Sequence, residues 1–282
     1  MDDDQPLASG PLAATLRGRP AGLAAAEECL RQQEGARPRN WLQRLFGVSP
    51  VRPEAESWYR GVTGEIKAGA ELARLGPDWV ILHAVPVGSK STDIDHVVIG
   101  RAGVFTLNSK RHYDARIWVA AKALMVNGSK QPYISNSTDE AERARKLLKD
   151  AVGFDVPVRA ALVMVDIREL TIKEQPESVT VLKLSELVRW LRRRRGVLTP
   201  EQVAAVVAAA ERPETWHTSP SDADWNSDWA QFTALRRERE AARWVKGAWL
   251  VVGIACIFPV AWGVLQILPG VLARLSTILA LG

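Results

Sequence analysis

The chain has 282 residues, 47% of them hydrophobic and 24% charged, which suits one sizeable domain with appendages and excludes a disordered chain. Its formal charge of +5 and pI near 9.4 permit a polyanion or anionic-lipid partner without demanding one. Two distant cysteines, Cys29 and Cys256, exclude a disulfide framework or a zinc cluster and fit a reducing compartment.

The first ten residues, MDDDQPLASG, are acidic where a signal peptide is basic, and no apolar core follows. Residues 1–53 read as a variable, partly disordered region with one short helix from Ala21 to Gln33. Within it, Arg39–Val48 (RNWLQRLFGV) is amphipathic and basic; it either rests on an anionic bilayer or packs on the domain that follows.

Residues 54–211 read as one α/β domain. A helical stretch from Glu54 to Leu75 precedes the strand DWVILHAVPV and a strand pair over Ser91–His112. ARIWVAAKALMVNG alternates like a further hairpin, and STDEAERARKLLKDAVG is an amphipathic helix capped by Ser137 or Thr138. VPVRAALVMVDI is a strand buried on both faces, SVTVLKL another strand, and SELVRWLRRRR and TPEQVAAVVAAAE are helices. This order predicts a mixed sheet flanked by helices. Residues 212–235 read as a polar tether.

In the remaining segment, 236–282, residues 248–268 carry no charge and would measure about 31 Å as a helix, the thickness of the hydrocarbon core. Trp244, Trp249 and Trp262 suit interface anchors. Arg236, Arg237, Arg239, Arg243 and Lys246 precede it, so a single pass leaves the N-terminal domain in the cytoplasm. The alternative is a buried C-terminal helix. The apolar tail Gly270–Gly282 is too short for a second crossing.

The strand pair carries polar groups where a sheet normally buries Val or Ile. With a turn at Arg101-Ala102, paired positions sum to 203, so Asp95 faces Asn108 and Asp93 faces Lys110. Alternation then puts these four on one face and His96, Ser109 and Arg111 on the other. Asp95 is a candidate ligand for a hard divalent cation such as Mg²⁺, with the Asn108 side-chain oxygen and the Ser109 carbonyl as possible additions. Lys110 would hold the attacking water or offset transition-state charge. A solvated Asp–Lys ion pair is the plain alternative. In the preceding helix, Trp58, Val62, Glu65, Gly69 and Leu72 share a face. Glu65 in that apolar stripe requires a cation or donor, which could simply be Lys110 or Lys67.

GVTGEIKAGAEL, WVILHAV and IDHVVIGRAGVFTLNSKRH together resemble the nuclease-related domain (NERD), which is similar at distance to the PD-(D/E)XK restriction-endonuclease-like fold. The resemblance covers about Trp58 to Asp166. It implies a metal site on Asp95 and Asn108, with Glu65 and Lys110 as catalytic partners. Asn108 departs from the nuclease pattern, which has an acid there; an amide removes one negative charge from the metal site. Arg111, Tyr113, Trp118 and Lys130 stand near the implied mouth of the site and are candidate nucleic-acid contacts.

Two readings follow. One is a membrane-anchored, Mg²⁺-dependent (or Mn²⁺-dependent) phosphodiesterase acting on DNA at the cytoplasmic membrane face. The other is a non-catalytic module on the same fold, binding nucleic acid or protein beside the membrane.

Overall fold

The computed structural model describes residues 15–87, 93–216 and 225–280, with side chains described through residue 255 and at 262, 269 and 270. Two compact units result, Met1–Gln32 with Pro53–Ala230, and Gln33–Arg52 with Gln231–Gly282. Residues 1–14, 88–92 and 217–224 lie outside the described residues, and with them part of the expected disordered N-terminus and of the expected tether.

The first unit is built on a five-stranded mixed sheet. Its antiparallel half consists of β1 (Val80–Pro86), β2 (Asp93–Gly100) and β3 (Gly103–Arg111). Two further strands, β7 (Val158–Val165) and β9 (Val179–Lys183), continue from β3 in parallel. The β2–β3 turn falls at Arg101-Ala102 with Gly100 opposite Gly103, so paired residues sum to 203 as the spacing predicts. Gly103 adopts a φ of +110°, and a Cβ there would lie 2.7 Å from the Pro157 carbonyl oxygen, so only glycine fits this corner.

Side-chain alternation sorts the core into two layers. On one face Val97, Ile99 and Val104 pack with Ala144 and Leu148 of α4 (Tyr133–Val152), Val206 of α6 (Pro200–Ala210) and Trp216 of α7 (Pro213–Trp216). On the other, Val98, Phe105 and Leu107 pack with Leu72 of α3 (Glu56–Leu72) and with Leu187 and Leu191 of α5 (Leu187–Arg192). The sheet is thus flanked by helices on both faces. The N-terminal helix α1 (Leu23–Gln33) joins this unit through fully buried Leu23, Ala26 and Cys29.

A second sheet departs from the single sheet that the sequence predicts. It runs β6 (Ser129–Gln131), β5 (Ala123–Val126), β4 (Arg116–Ala120), β8 (Glu169–Glu174), and it encloses a third core with β7, β9 and α4. Also, α4 begins a turn earlier than its Ser/Thr cap suggests. The Pro132 carbonyl accepts from Asn136 N, which starts the helix ahead of Ser137 and buries that residue. On α3, Val62, Glu65, Gly69 and Leu72 are buried as the stripe predicts, while at its start Tyr59 takes the buried place and Trp58 is exposed.

In the second unit α2 (Trp41–Leu45) lies beside α8 (Trp225–Ala280). Among the described residues no helix is long and apolar enough to cross a membrane. The expected span, 248–268, lies partly outside them: the side chains of 256–261 and 263–268 are not described.

Candidate active site at the open end of the hairpin

Hydrogen-bonded pairing of β2 with β3 runs from Gly100–Gly103 only as far as His96–Leu107. There the strands part. Asp95 fills the fork with its carboxylate: Oδ2 accepts from Ser109 N at 2.6 Å and from Ser109 Oγ at 2.9 Å. Ser109, assigned by strict alternation to the opposite face, reaches Asp95 across the fork: β3 stays paired with β7 through Arg111, but its edge toward β2 is open and its N–H is free for the carboxylate. Burial raises the Asp95 pKa, opposed by Lys110 and by the Ser109 donors.

The fork admits acids from both layers. Asn108 Nδ2 donates to both oxygens of Glu140, on α4, at 3.1 and 3.2 Å. Glu65, on α3, reaches the fork from the other layer. It is buried, its Oε2 has no hydrogen-bond partner among the described residues, and its pKa is pushed well above the carboxylate range by burial, then by Asp95 and Asp93, against Lys110. Burial and Asp95 push Asp93 up to about 7. Glu140 is pushed up to about 7 by burial, against the Asn108 hydrogen bond. Four acids thus repel one another around Lys110, with Arg19 also acting on Asp93 and Arg143 on Glu140; Lys110 lies 5.3 Å from the centre of the Tyr133 ring. Tyr133 in turn meets His112 Nε2 at 3.2 Å.

Glu140 is the residue that sequence reasoning misses. It is one acid among several on a polar helix, and its only signal is a position two turns into α4, over the end of β3. Its carboxyl stands where the Asn108 amide leaves the strand short of one. The carbonyl oxygen of Asn108, Oδ1, is buried without a hydrogen-bond partner among the described residues, as an acceptor awaiting a cation or donor would be.

Residues 60–165 match the family model described as nuclease-related domain (NERD). A nuclease-related domain occupies this stretch. No curated protein matches the chain, and no solved structure does.

The other expected residues of the nuclease-related domain divide by surroundings. Arg111 is committed internally, to Asp166 through Nε and to Thr63 Oγ1 through Nη1. Lys67 also goes to Asp166 and not to Glu65, so the ion pair that would have made Glu65 a plain structural acid is absent among the described residues. Tyr113 is 81% exposed. Trp118 is half-buried in β4 opposite Met125, and Lys130 is exposed on β6. Trp118 and Lys130 therefore belong to the second sheet, apart from the fork.

Among the described residues, no three His, Cys, Asp or Glu side chains converge as a ready metal cage. The donors fit a hard cation in kind: carboxylates held above their usual pKa range and an orphaned amide oxygen. In the arrangement present, the Asn108 amide spends its N–H groups on Glu140 while its oxygen stays free.

Proposed function

We propose that the nuclease-related domain is a metal-dependent phosphodiesterase acting on DNA, with its site at the β2–β3 fork. The observation that carries this reading is the meeting of Glu65, Asp93, Asp95 and Glu140 around Lys110. A cluster of mutually repelling, desolvated carboxylates raises the folding cost unless it neutralises something. Asp95 and Asn108 would hold Mg²⁺ or Mn²⁺, with Glu140 restoring the charge that Asn108 lacks and Glu65 accepting from a water. A bound cation of this kind polarises the phosphoryl oxygen and acidifies water. Lys110, steadied over Tyr133, orients the water and offsets charge on the phosphorane-like transition state. The Ser109 donors favour the ionised form of Asp95 against its burial and aim its carboxylate.

A second reading is favoured by the lack of a convergent metal cage: the same fork binds nucleic acid or a protein partner without cleaving. The two separate in one assay. Full-length protein is incubated with single- and double-stranded DNA in Mg²⁺ or Mn²⁺. On the enzymatic reading Asp95→Ala and Lys110→Ala each abolish cleavage, and Glu140→Gln lowers it by roughly 10²-fold or more. Metal-independent binding with no product, unchanged by Asp95→Ala, rejects it.

We further infer that the domain works at the cytoplasmic face of a cell membrane. The uncharged segment 248–268 and the cations ahead of it support this.

A further inference from the structure

We propose that α2 and the turn after it form a lipid-interface foot, braced on α8 where that helix passes from headgroups into hydrocarbon. The inference rests on membrane attachment of α8 and is independent of the nuclease reading.

Four positions of α8 carry the brace. Arg39 donates to Glu238 and to the Val48 carbonyl. Gly47, at φ +64°, is pressed so closely that a Cβ would lie 2.4 Å from Ala242 O and 2.6 Å from Lys246 N. Trp249 Nε1 donates to Leu45 O at 2.6 Å, and its ring lies 5.5 Å from that of Phe46. Positions 238, 242, 246 and 249 recur every three or four residues and so make one stripe of the helix. Asn40 and Gln43 close a reciprocal cap on α2, which fixes this short helix without help from a core.

The brace leaves the apolar side of α2 facing outward. None of its five residues is buried; Trp41 is 71% exposed and Phe46 54%, with Leu42, Leu45 and Val48 beside them. A contiguous exposed apolar patch of this kind marks a contact surface.

The occupant follows from α8 itself. Trp249, Leu250, Val251 and Val252 are exposed by 43% or more, and four successive residues at about 100° each go most of the way round the helix. A single protein partner covers one side; hydrocarbon covers all. Aromatic rings at Trp41, Phe46 and Trp249 suit the headgroup level, and Arg44, Arg236, Arg237, Arg243 and Lys246 supply cations for an anionic leaflet. Lipid, not a second copy, is therefore the partner.

The test uses the full chain with Cys29→Ala and Cys256→Ala, and a single cysteine at Leu42→Cys or, separately, Trp41→Cys. Each carries an environment-sensitive fluorophore. The protein is reconstituted in vesicles of phosphatidylcholine and phosphatidylglycerol, with or without brominated acyl chains. At both sites the foot predicts blue-shifted emission, quenching by bromine and shielding from aqueous iodide; the same label at exposed Ser185→Cys shows none of these. Iodide quenching without bromine quenching, in protein that floats with the vesicles, overturns the foot while sparing the attachment. Protein that does not float with vesicles overturns the attachment as well. A blue shift that follows protein density and ignores bromine assigns the surface to a second copy and also overturns the proposal.

Discussion

Protonation decides how the fork stands in the absence of a cation. Glu65, Asp93 and Glu140 have pKa values raised by burial and by one another. The folded state therefore holds protons that the unfolded state releases near pH 4, and their contribution to stability is present below about pH 4 and lost as pH rises through about 7. The His83–His96 pair, with Nδ1 atoms 2.8 Å apart, works in the opposite sense. Burial lowers His83 to about 4, and burial with His83 pushes His96 well down, so acid removes stability there. The two trends overlap, and a difference between variants separates them. Glu140→Gln is expected to melt higher than the parent at pH 8 and nearly level with it at pH 5. Mg²⁺ or Mn²⁺ at pH 8 should raise the parent's Tm and the variant's less. A variant that tracks the parent at every pH refutes mutual repulsion. Asp95, Asn108 and Lys110 were legible as a group from their spacing of two. Glu140 was not, because nothing in a helix with acids and bases on every side singles out the one that overhangs a strand end.

At the level of elements, close approach of α3 to the sheet sets where Glu65 can reach. Gly64 faces Arg111, where an added Cβ would lie 2.9 Å from the Arg111 Cβ; at Gly69 the Ala21 Cβ would lie 2.7 Å away. Gly69→Val should lever the helix outward and cost about 1–3 kcal/mol in urea denaturation, as overpacking of a tight contact does. Cleavage by the surviving folded protein should also fall, because Glu65 rides on the same helix. An unchanged midpoint would show that α3 is not held this closely. The strands of the main sheet were readable because burial on both faces writes continuous Val and Ile. The β8 segment, ELTIKE, was not: it is a largely exposed edge strand whose charges conceal the pairing with β4.

Across the first unit, the hairpin turn lies about 20 Å from the fork, at about 3.3 Å per residue of β3. That end is arginine-rich. Arg101, Arg159, Arg192, Arg193, Arg194 and Arg195 are all exposed, and none has an ion pair among the described residues. Several are fixed by carbonyls, Arg159 to Ala102 O and Arg192 to Arg74 O. Planar guanidiniums held this way suit phosphates. Replacing Arg101, Arg193 and Arg195 by Ala should weaken DNA binding uniformly across sequences and flatten its salt slope by about 0.9 per lost phosphate contact. Fluorescence anisotropy against salt measures it, and an unaltered slope refutes the contact. The run Arg192–Arg195 is plain in the sequence as a basic patch for phosphates or lipid headgroups; that Arg101 and Arg159 join it at one end of the sheet is not. The early end of the β2–β3 ladder has an evolutionary consequence. Pairing from Gly100 back to His96 owes nothing to the charged groups beyond it, so descendants could lose the reaction proposed above and keep the scaffold. Retention of all four acids in any one copy would then testify to use, since folding alone would sooner be rid of them.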